Sequence, residues 1–195
     1  QESELQNFAP PSDNQNLVVK TAHHLAQHFK KNLSCHIHLD KKIPVGAGLG
    51  GGSADAAATA RALIKYWGIQ ISPQEMQDIL LPLGADIPVC YRGSPCVFEG
   101  IGEIITPTSN VPTLHGVLIY PNEFCSTVDI FKNFDDNFYN QDSSPMPTNA
   151  SEFLNFLKKY KNDLTKPAIE KIPEISEILK TLSEQKECLI NRMSG

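Results

Sequence analysis

Residues 46–52 contain five glycines and are followed by an alanine-rich stretch that begins with Ser53. A turn without side chains at the start of a helix leaves backbone N–H groups uncovered, and the helix macrodipole adds positive charge at the same end. Both properties favour an anion, above all a phosphate group. The chemistry that this segment predicts is therefore phosphate binding.

A second residue with chemistry to offer is Asp86, in the segment LGADIPV at residues 83–89. A carboxylate within hydrogen-bond reach of an alcohol can take its proton as the oxygen attacks phosphorus. Pro88 restricts the conformation of Ile87 and so helps to fix this segment. The other common use of an aspartate here is a helix N-cap. Local sequence favours neither role over the other.

Two familiar phosphate-binding patterns fit the glycine run poorly. The nucleoside-triphosphate P-loop needs Gly-Lys-Ser/Thr at the helix start, and Gly52-Ser53-Ala54 lacks the lysine. The dinucleotide fingerprint G-x-G-x-x-G matches Gly46, Gly48 and Gly51 formally, but it should follow a fully buried strand and precede an acid that ends a second strand. Here the preceding residues alternate polar and apolar, and Glu75 in the expected window belongs to a capping box.

A third pattern fits better, namely P-x-x-x-G-L-G-x-x-S, in which Pro44 sets the loop entry and Ser53 opens the helix. A turn that merely packs a helix on a sheet rarely needs five glycines, because each costs about 0.5–1 kcal/mol of backbone entropy. The pattern resembles the phosphate loop of the superfamily of galactokinase, homoserine kinase, mevalonate kinase and phosphomevalonate kinase (GHMP kinases).

Within that superfamily the chain resembles the 4-diphosphocytidyl-2-C-methyl-D-erythritol kinases. The resemblance implies phosphorylation of the 2-hydroxyl of that small-molecule substrate by ATP with Mg²⁺, in the non-mevalonate (MEP) isoprenoid pathway. Alternatives are a GHMP kinase for another alcohol, such as homoserine, and a non-catalytic nucleotide sensor. The likeness is carried by residues 16–18, 40–44, 48–57, 83–89, 99–103, 162–164 and 193–195.

The resemblance also implies roles for individual residues. Asp86 would be the general base and contact the substrate, and Thr127 would lie on the substrate side. Asn16 and Lys41 would line the adenine end, although Asn16 also suits an N-cap and Lys41 a solvated surface charge. Asp55, expected in the first helical turn, should point away from the phosphates. The nucleotide phosphates would be bound by Pro44, Gly46, Gly48, Leu49, Gly50, Gly51, Gly52 and Ser53.

Hydrophobic spacing and turn residues predict the elements that position these groups. Expected helices cover 16–29, 53–67, 72–83, 151–160, 163–171 and 173–185, with a short helix capped by Ser126 or Thr127. Expected strands cover 33–39, 96–98, 103–105, 114–120 and 188–193, and residues 132–149 form a long surface connection.

The resemblance implies an α+β fold in two lobes. Residues 1–97 would form part of an N-terminal lobe like the second domain of ribosomal protein S5, and residues 98–195 part of an α/β-sandwich lobe. The family's first strand, with its lysine and Gly-Tyr-His, has no counterpart here, and a second glycine motif stops after Ser194-Gly195. Because Met is also missing at position 1, we expect an internal piece of a longer protein, truncated at both ends.

Composition narrows the possible environments and partners. With 41% apolar and 20% charged residues, the 195-residue chain can bury a core. The formal net charge of −5 argues against nucleic acid and anionic membranes as partners, and no apolar stretch reaches the length of a membrane span. Five cysteines without a Cys-x-x-Cys pair favour free thiols in a bacterial-type cytoplasm. Neither histidine pair, His24/His28 or His36/His38, has an acidic or cysteine partner nearby in sequence, so no metal site is predicted from them.

Overall fold

The computed structural model describes residues 14–108, 111–123, 125–132, 134 and 146–194, without the side chains of residues 127 and 128. The described residues fall into two compact units. One unit contains residues 14–45 and 50–108, and the other contains residues 46–49 and 111–194. None of the described helices is both long and apolar enough to cross a lipid bilayer.

Helices α1 (Leu17–His28) and α2 (Gly51–Tyr66) form the centre of the first unit. Alanines on α2 allow the backbones of the two helices to approach closely, since Ala56, Ala57 and Ala60 have no exposed surface. Helix α2 begins at Gly51, two residues before the predicted start at Ser53. The left-handed N-cap Gly50, with φ 64°, turns the chain into the helix earlier than a serine cap would.

Helix α3 (Pro73–Leu80) begins with the predicted capping box. The Ser72 hydroxyl accepts a hydrogen bond from the Glu75 N–H at 3.2 Å, and the Glu75 carboxylate accepts one from the Ser72 N–H at 3.0 Å. A 3₁₀ turn (Leu81–Leu83) follows and leads into helix α4 (Asp86–Arg92). The largest fully buried side chains of this helical unit come from α1, α3 and α4, and they are Thr21, Leu25, Met76, Leu80 and Ile87.

The hairpin predicted near residues 96–105 is present. Strands β1 (Cys96–Glu99) and β2 (Ile104–Pro107) pair antiparallel, with Cys96 opposite Pro107 and Glu99 opposite Ile104. Gly100 and Gly102, both at positive φ, form the turn between them. This hairpin is the one sheet among the residues that the structure describes.

Three other strand predictions are wrong for the described residues. Residues 33–39, 114–120 and 188–193 are irregular and carry no ladder partner in the described part of the chain. Residues 114–120 are not buried either, because Val117 is 83% exposed and Leu118 66% exposed. Alternation of side chains is only compatible with a strand, because a strand also needs a neighbour for its backbone hydrogen bonds.

The second unit is helical. It contains α5 (Thr127–Lys132), α6 (Ala150–Lys158), α7 (Thr165–Lys171) and α8 (Glu174–Ser183), close to the predicted bounds. Asn149 caps α6 by accepting hydrogen bonds from the Ser151 and Glu152 N–H groups. The predicted surface connection at 132–149 lies mostly outside the described residues.

Candidate active site

The glycine run has a backbone that ordinary residues rarely adopt. Gly46, Gly48 and Gly50 have φ values of 78°, 67° and 64°. The intervening Ala47 and Leu49 are not at positive φ. Alternation of left-handed residues with others is the backbone pattern of anion-binding nests, in which successive N–H groups form a concave surface. The glycine-rich bend is thus present in the backbone, and its use for phosphate binding stays a prediction.

The start of α2 is open. A Cβ atom added to Gly50 would meet none of the described atoms within 4 Å. None of the described side chains caps the helix by accepting a hydrogen bond from the N–H groups of its first turn. A helix start of this kind leaves several donors and the positive end of the macrodipole available to a phosphate group.

Lys41 lies against this helix start. Its ammonium is 2.5 Å from Oδ2 of Asp55, and the two side chains are 15% and 27% exposed. A Cβ atom on Gly51 would lie 3.0 Å from the Lys41 nitrogen, so the missing side chain makes room for the lysine. The alternative of a solvated surface charge is therefore wrong for Lys41. The placement of Asp55 in the first turn is also wrong, because α2 starts at Gly51 and its first turn holds no acid.

Asn16 is an N-cap, as its residue type predicts. Its Oδ1 accepts a hydrogen bond from the Val18 N–H at 2.9 Å. The next residue, Leu17, approaches the second residue of α2, because its Cδ1 would lie 3.4 Å from a Cβ on Gly52. The starts of α1 and α2 therefore lie side by side, with Lys41 also at the first turn of α2.

Asp86 is the first residue of α4, and the N-cap position belongs to Ala85. The alternative role of Asp86 as an N-cap is therefore wrong. Its side chain is exposed, and no hydrogen bond or ion pair engages it in the described part of the chain. Ile87 and Pro88, directly after it, are buried and hold α4 to the core. The structure thus presents a free carboxylate on an anchored backbone.

Two residues, Cys90 on α4 and Arg61 on α2, interact with the charges or the backbone of α4. Burial raises the pKa of the Cys90 thiol, the negative charge of Asp86 one turn earlier raises it further, and Arg61 opposes them. Arg61, on α2, donates hydrogen bonds to the carbonyls of Cys90 and Tyr91 at 2.9 and 3.0 Å. Arg61 thereby satisfies C-terminal carbonyls of α4 and ties this helix to α2. Sequence reasoning missed Arg61, because its partners lie 29 and 30 residues away and no local pattern marks them.

In the second unit, Ser194 contacts the glycine run. Its hydroxyl donates to the Gly48 carbonyl at 3.2 Å. Thr127 begins α5, but its side chain lies outside the described residues, so its substrate-side role stays a prediction. Nearby, the Lys171 ammonium is 2.9 Å from Oδ2 of Asp129, and this contact lowers the pKa of the Asp129 carboxyl.

Comparison with known proteins agrees with this arrangement. Residues 16–94 match the family described as GHMP kinases N terminal domain. The 4-diphosphocytidyl-2-C-methyl-D-erythritol kinase of Paramagnetospirillum magneticum is 36% identical over 184 residues, which are 94% of this chain and 65% of that protein. The kinase of the same name from Agrobacterium fabrum is 41% identical over 165 residues, or 82% of this chain and 54% of that protein.

A solved structure of a kinase of this kind has a similar fold to this chain. A crystal structure of 4-(cytidine 5'-diphospho)-2C-methyl-D-erythritol kinase superimposes with a TM-score of 0.62 and 25% identity, over 91% of this chain and 66% of the other. The chain therefore spans roughly half to two thirds of the length of the relatives that it matches. The chain is a homologue of the 4-diphosphocytidyl-2-C-methyl-D-erythritol kinases, and its residues 16–94 match the N-terminal domain of the GHMP kinases.

Proposed function

We propose that the protein containing this chain transfers the terminal phosphoryl group of ATP to the 2-hydroxyl of 4-diphosphocytidyl-2-C-methyl-D-erythritol, in the non-mevalonate isoprenoid pathway. The observation that carries the proposal is the exposed carboxylate of Asp86 on α4, which has no partner among the described residues, on a helix that Arg61 ties to α2. The names of the relatives supply the substrate.

Backbone donors would do most of the phosphate binding. The N–H groups from Gly50 to Ser53 begin a helix without a side-chain cap, which supports their use by a phosphate group. Pro44, Gly46, Gly48 and Leu49 would shape the approach of the chain to this helix. Phosphoryl transfer depends mainly on such positioning and on charge stabilisation.

Lys41 and Asn16 would bind other parts of the nucleotide. The sequence resemblance assigns both to the adenine end. The contact of the Lys41 ammonium with the first turn of α2 instead supports a place beside the phosphates, where a positive charge offsets the charge that spreads over the transferred group. Asn16 keeps its capping bond, and its position at the start of α1 supports a contact with ATP.

Asp86 would take the proton of the substrate hydroxyl. Because no group in the described part of the chain competes for its carboxylate, the carboxylate is free to accept a hydrogen bond from an alcohol. Thr127 would contact the substrate from the second lobe. The two-lobed division at residue 97, with a lobe like the second domain of ribosomal protein S5 and an α/β sandwich, remains part of this proposal.

Mg²⁺ would enter with the nucleotide. The described residues contain no group of three side chains able to ligate a metal ion, so they fit the ion only as a partner of ATP. Mg²⁺ usually keeps several waters and is held through phosphate oxygens and one or two protein groups. The Ser53 hydroxyl in the first turn of α2 is the group of this chain that would face it, and the ion would neutralise charge on the phosphates.

The test is Asp86→Asn in a protein that contains this chain, assayed for ADP release with the cytidyl substrate. We expect kcat to fall by about 10²–10⁴-fold, while ATP binding measured by calorimetry is retained. Asp78→Asn is the matched control, since Asp78 is exposed on α3 and bonds only Gln74 among the described residues. Normal turnover by Asp86→Asn would contradict the base assignment, and ATP binding without turnover of any alcohol would favour the sensor alternative.

A further inference from the structure

The turn between β1 and β2 touches the backbone just before Asp86. Gly102 in this turn is buried and has a φ of 96°. A Cβ atom added to it would lie 2.7 Å from the Ala85 carbonyl oxygen and 3.2 Å from the Ala85 carbonyl carbon and Cα. Because backbone atoms cannot move aside as a flexible side-chain end can, this contact exists only with glycine at position 102.

The turn that makes the contact is itself well fixed. The Gly102 N–H donates to the Glu99 carbonyl at 3.1 Å, and the Ile101 N–H donates to the Glu103 carboxylate at 2.6 Å. From α3, the Gln77 side-chain amide donates to the Glu103 carbonyl at 2.5 Å. The hairpin ladder and α3 together hold the turn in place, so it can act as a rigid support.

On the other side, α4 is held by its own buried residues. Ile87 has no exposed surface and Pro88 is buried. None of the described side chains caps the helix at Ala85. Asp86 therefore lies between a residue pressed against the Gly102 turn and a residue anchored in the core, while its own carboxylate stays exposed.

We propose that Gly102 is a positioning residue for the reaction: by packing on Ala85, it fixes where Asp86 presents its carboxylate. The inference rests on the proposed role of Asp86 as general base. Gly102 touches neither the substrate nor ATP in this scheme, so its effect passes entirely through the backbone at Ala85. A displacement of about 1 Å at a reacting group can cost roughly 10²-fold in rate.

The first test compares Gly102→Ala with Gly68→Ala in a protein that contains this chain. Gly68 also has a positive φ, but a Cβ there would meet none of the described atoms within 4 Å. We expect Gly102→Ala to lower kcat by about 10- to 100-fold with the KM for ATP nearly unchanged. Gly68→Ala should lower kcat less than about threefold. Equal kcat values for the two variants would overturn the inference.

A double-variant cycle separates positioning from general damage to the fold. In the Asp86→Asn background, Gly102→Ala should lower kcat less than about twofold further, because the group through which it acts is already gone. If the double variant instead lost kcat by the product of the two single-variant factors, the inference would be overturned. If the Asp86→Asn protein turned over normally, the proposed role of Asp86 as general base would be wrong. If the Gly102→Ala protein turned over normally while the Asp86→Asn protein did not, only the positioning role of Gly102 would be wrong.

A second variant keeps the test decisive should Gly102→Ala fail to fold. Gln77→Met removes the hydrogen bond from α3 to the Glu103 carbonyl without adding an atom near Ala85. With thermal unfolding as the check on folding, we expect kcat to fall by about two- to fivefold at constant KM for ATP. An unchanged kcat in a Gln77→Met protein would overturn the inference.

Discussion

The glycines of residues 46–52 and those of residues 100–102 look alike in sequence but lie in different surroundings. Both segments place alternate glycines at positive φ. Around Gly50 no atom of the described residues fills the space of a side chain, whereas at Gly102 the Ala85 carbonyl does. The first segment leaves its backbone open to a ligand, and the second uses the missing side chain to bring two backbones together. A glycine pattern alone does not distinguish these uses.

Gly51 is an intermediate case. It is helical, and the space beside it is occupied by the Lys41 ammonium. Packing therefore does explain some glycines of the first run. The phosphate-binding hypothesis is best supported at Gly50, whose positive φ turns the chain into α2 and whose missing side chain is not replaced by any described atom.

The largest expected effect is a difference in the free energy of unfolding between alanine variants of the two glycine segments. Gly102→Ala combines a left-handed alanine, at about 1–2 kcal/mol, with an overpacked backbone contact, at about 1–3 kcal/mol. Gly50→Ala carries only the first of these costs. We expect urea unfolding to give a loss for Gly102→Ala that exceeds the loss for Gly50→Ala by at least roughly 1 kcal/mol. Equal losses would remove the distinction between an open and a filled glycine.

ATP affinity should rank the same two variants in the opposite order. Alanine at position 50 favours a negative φ and would turn the N–H groups that begin α2. Calorimetry should show ATP binding weakened by about tenfold, or about 1.4 kcal/mol, for Gly50→Ala and nearly unchanged for Gly102→Ala. Tight ATP binding by Gly50→Ala would argue against the open segment as the phosphate site.

The intermediate glycine offers a smaller effect. Alanine is favoured over glycine in a helix by roughly 0.8–1 kcal/mol, but the Lys41 ammonium blocks its Cβ at position 51. Gly51→Ala should therefore stabilise the protein in a Lys41→Ala background and gain less when Lys41 is present. The measurement is a double-mutant cycle in urea, and additive free energies would show that Lys41 does not occupy this space.

The smallest effect is a titration that reports on Asp86. Because the Asp86 carboxylate contributes to the raised pKa of Cys90, Asp86→Asn should lower the pKa of that thiol. More thiolate would then be present at any pH below the pKa, so alkylation of Cys90, followed by mass spectrometry, should become faster. Asp78→Asn, on another helix, should leave the pKa of Cys90 unchanged.

Local features were predictable because their causes lie within a few residues. The caps at Asn16 and Ser72, Pro73 in the first turn of α3 and the hairpin turn at 100–103 all follow from neighbouring side chains and glycines. The strand at 33–39 failed for the opposite reason. Its alternation of polar and apolar residues predicted a strand with one buried face, but these residues are irregular and mostly exposed, and no neighbouring strand pairs with them among the described residues.

Sequence by itself determined the capped starts of α1 and α3, the glycine-rich bends at 46–52 and 100–102, and the position of Asp86 directly after Gly84 and Ala85. Tertiary structure alone decided that Lys41 pairs with Asp55, that Arg61 holds the end of α4, and that Gly102 presses on Ala85. The physical reason is the separation along the sequence between the groups that interact. Caps and backbone dihedrals are set by sterics and hydrogen bonds within one turn, whereas these partners are 14 to 30 residues apart and meet only once the helices pack.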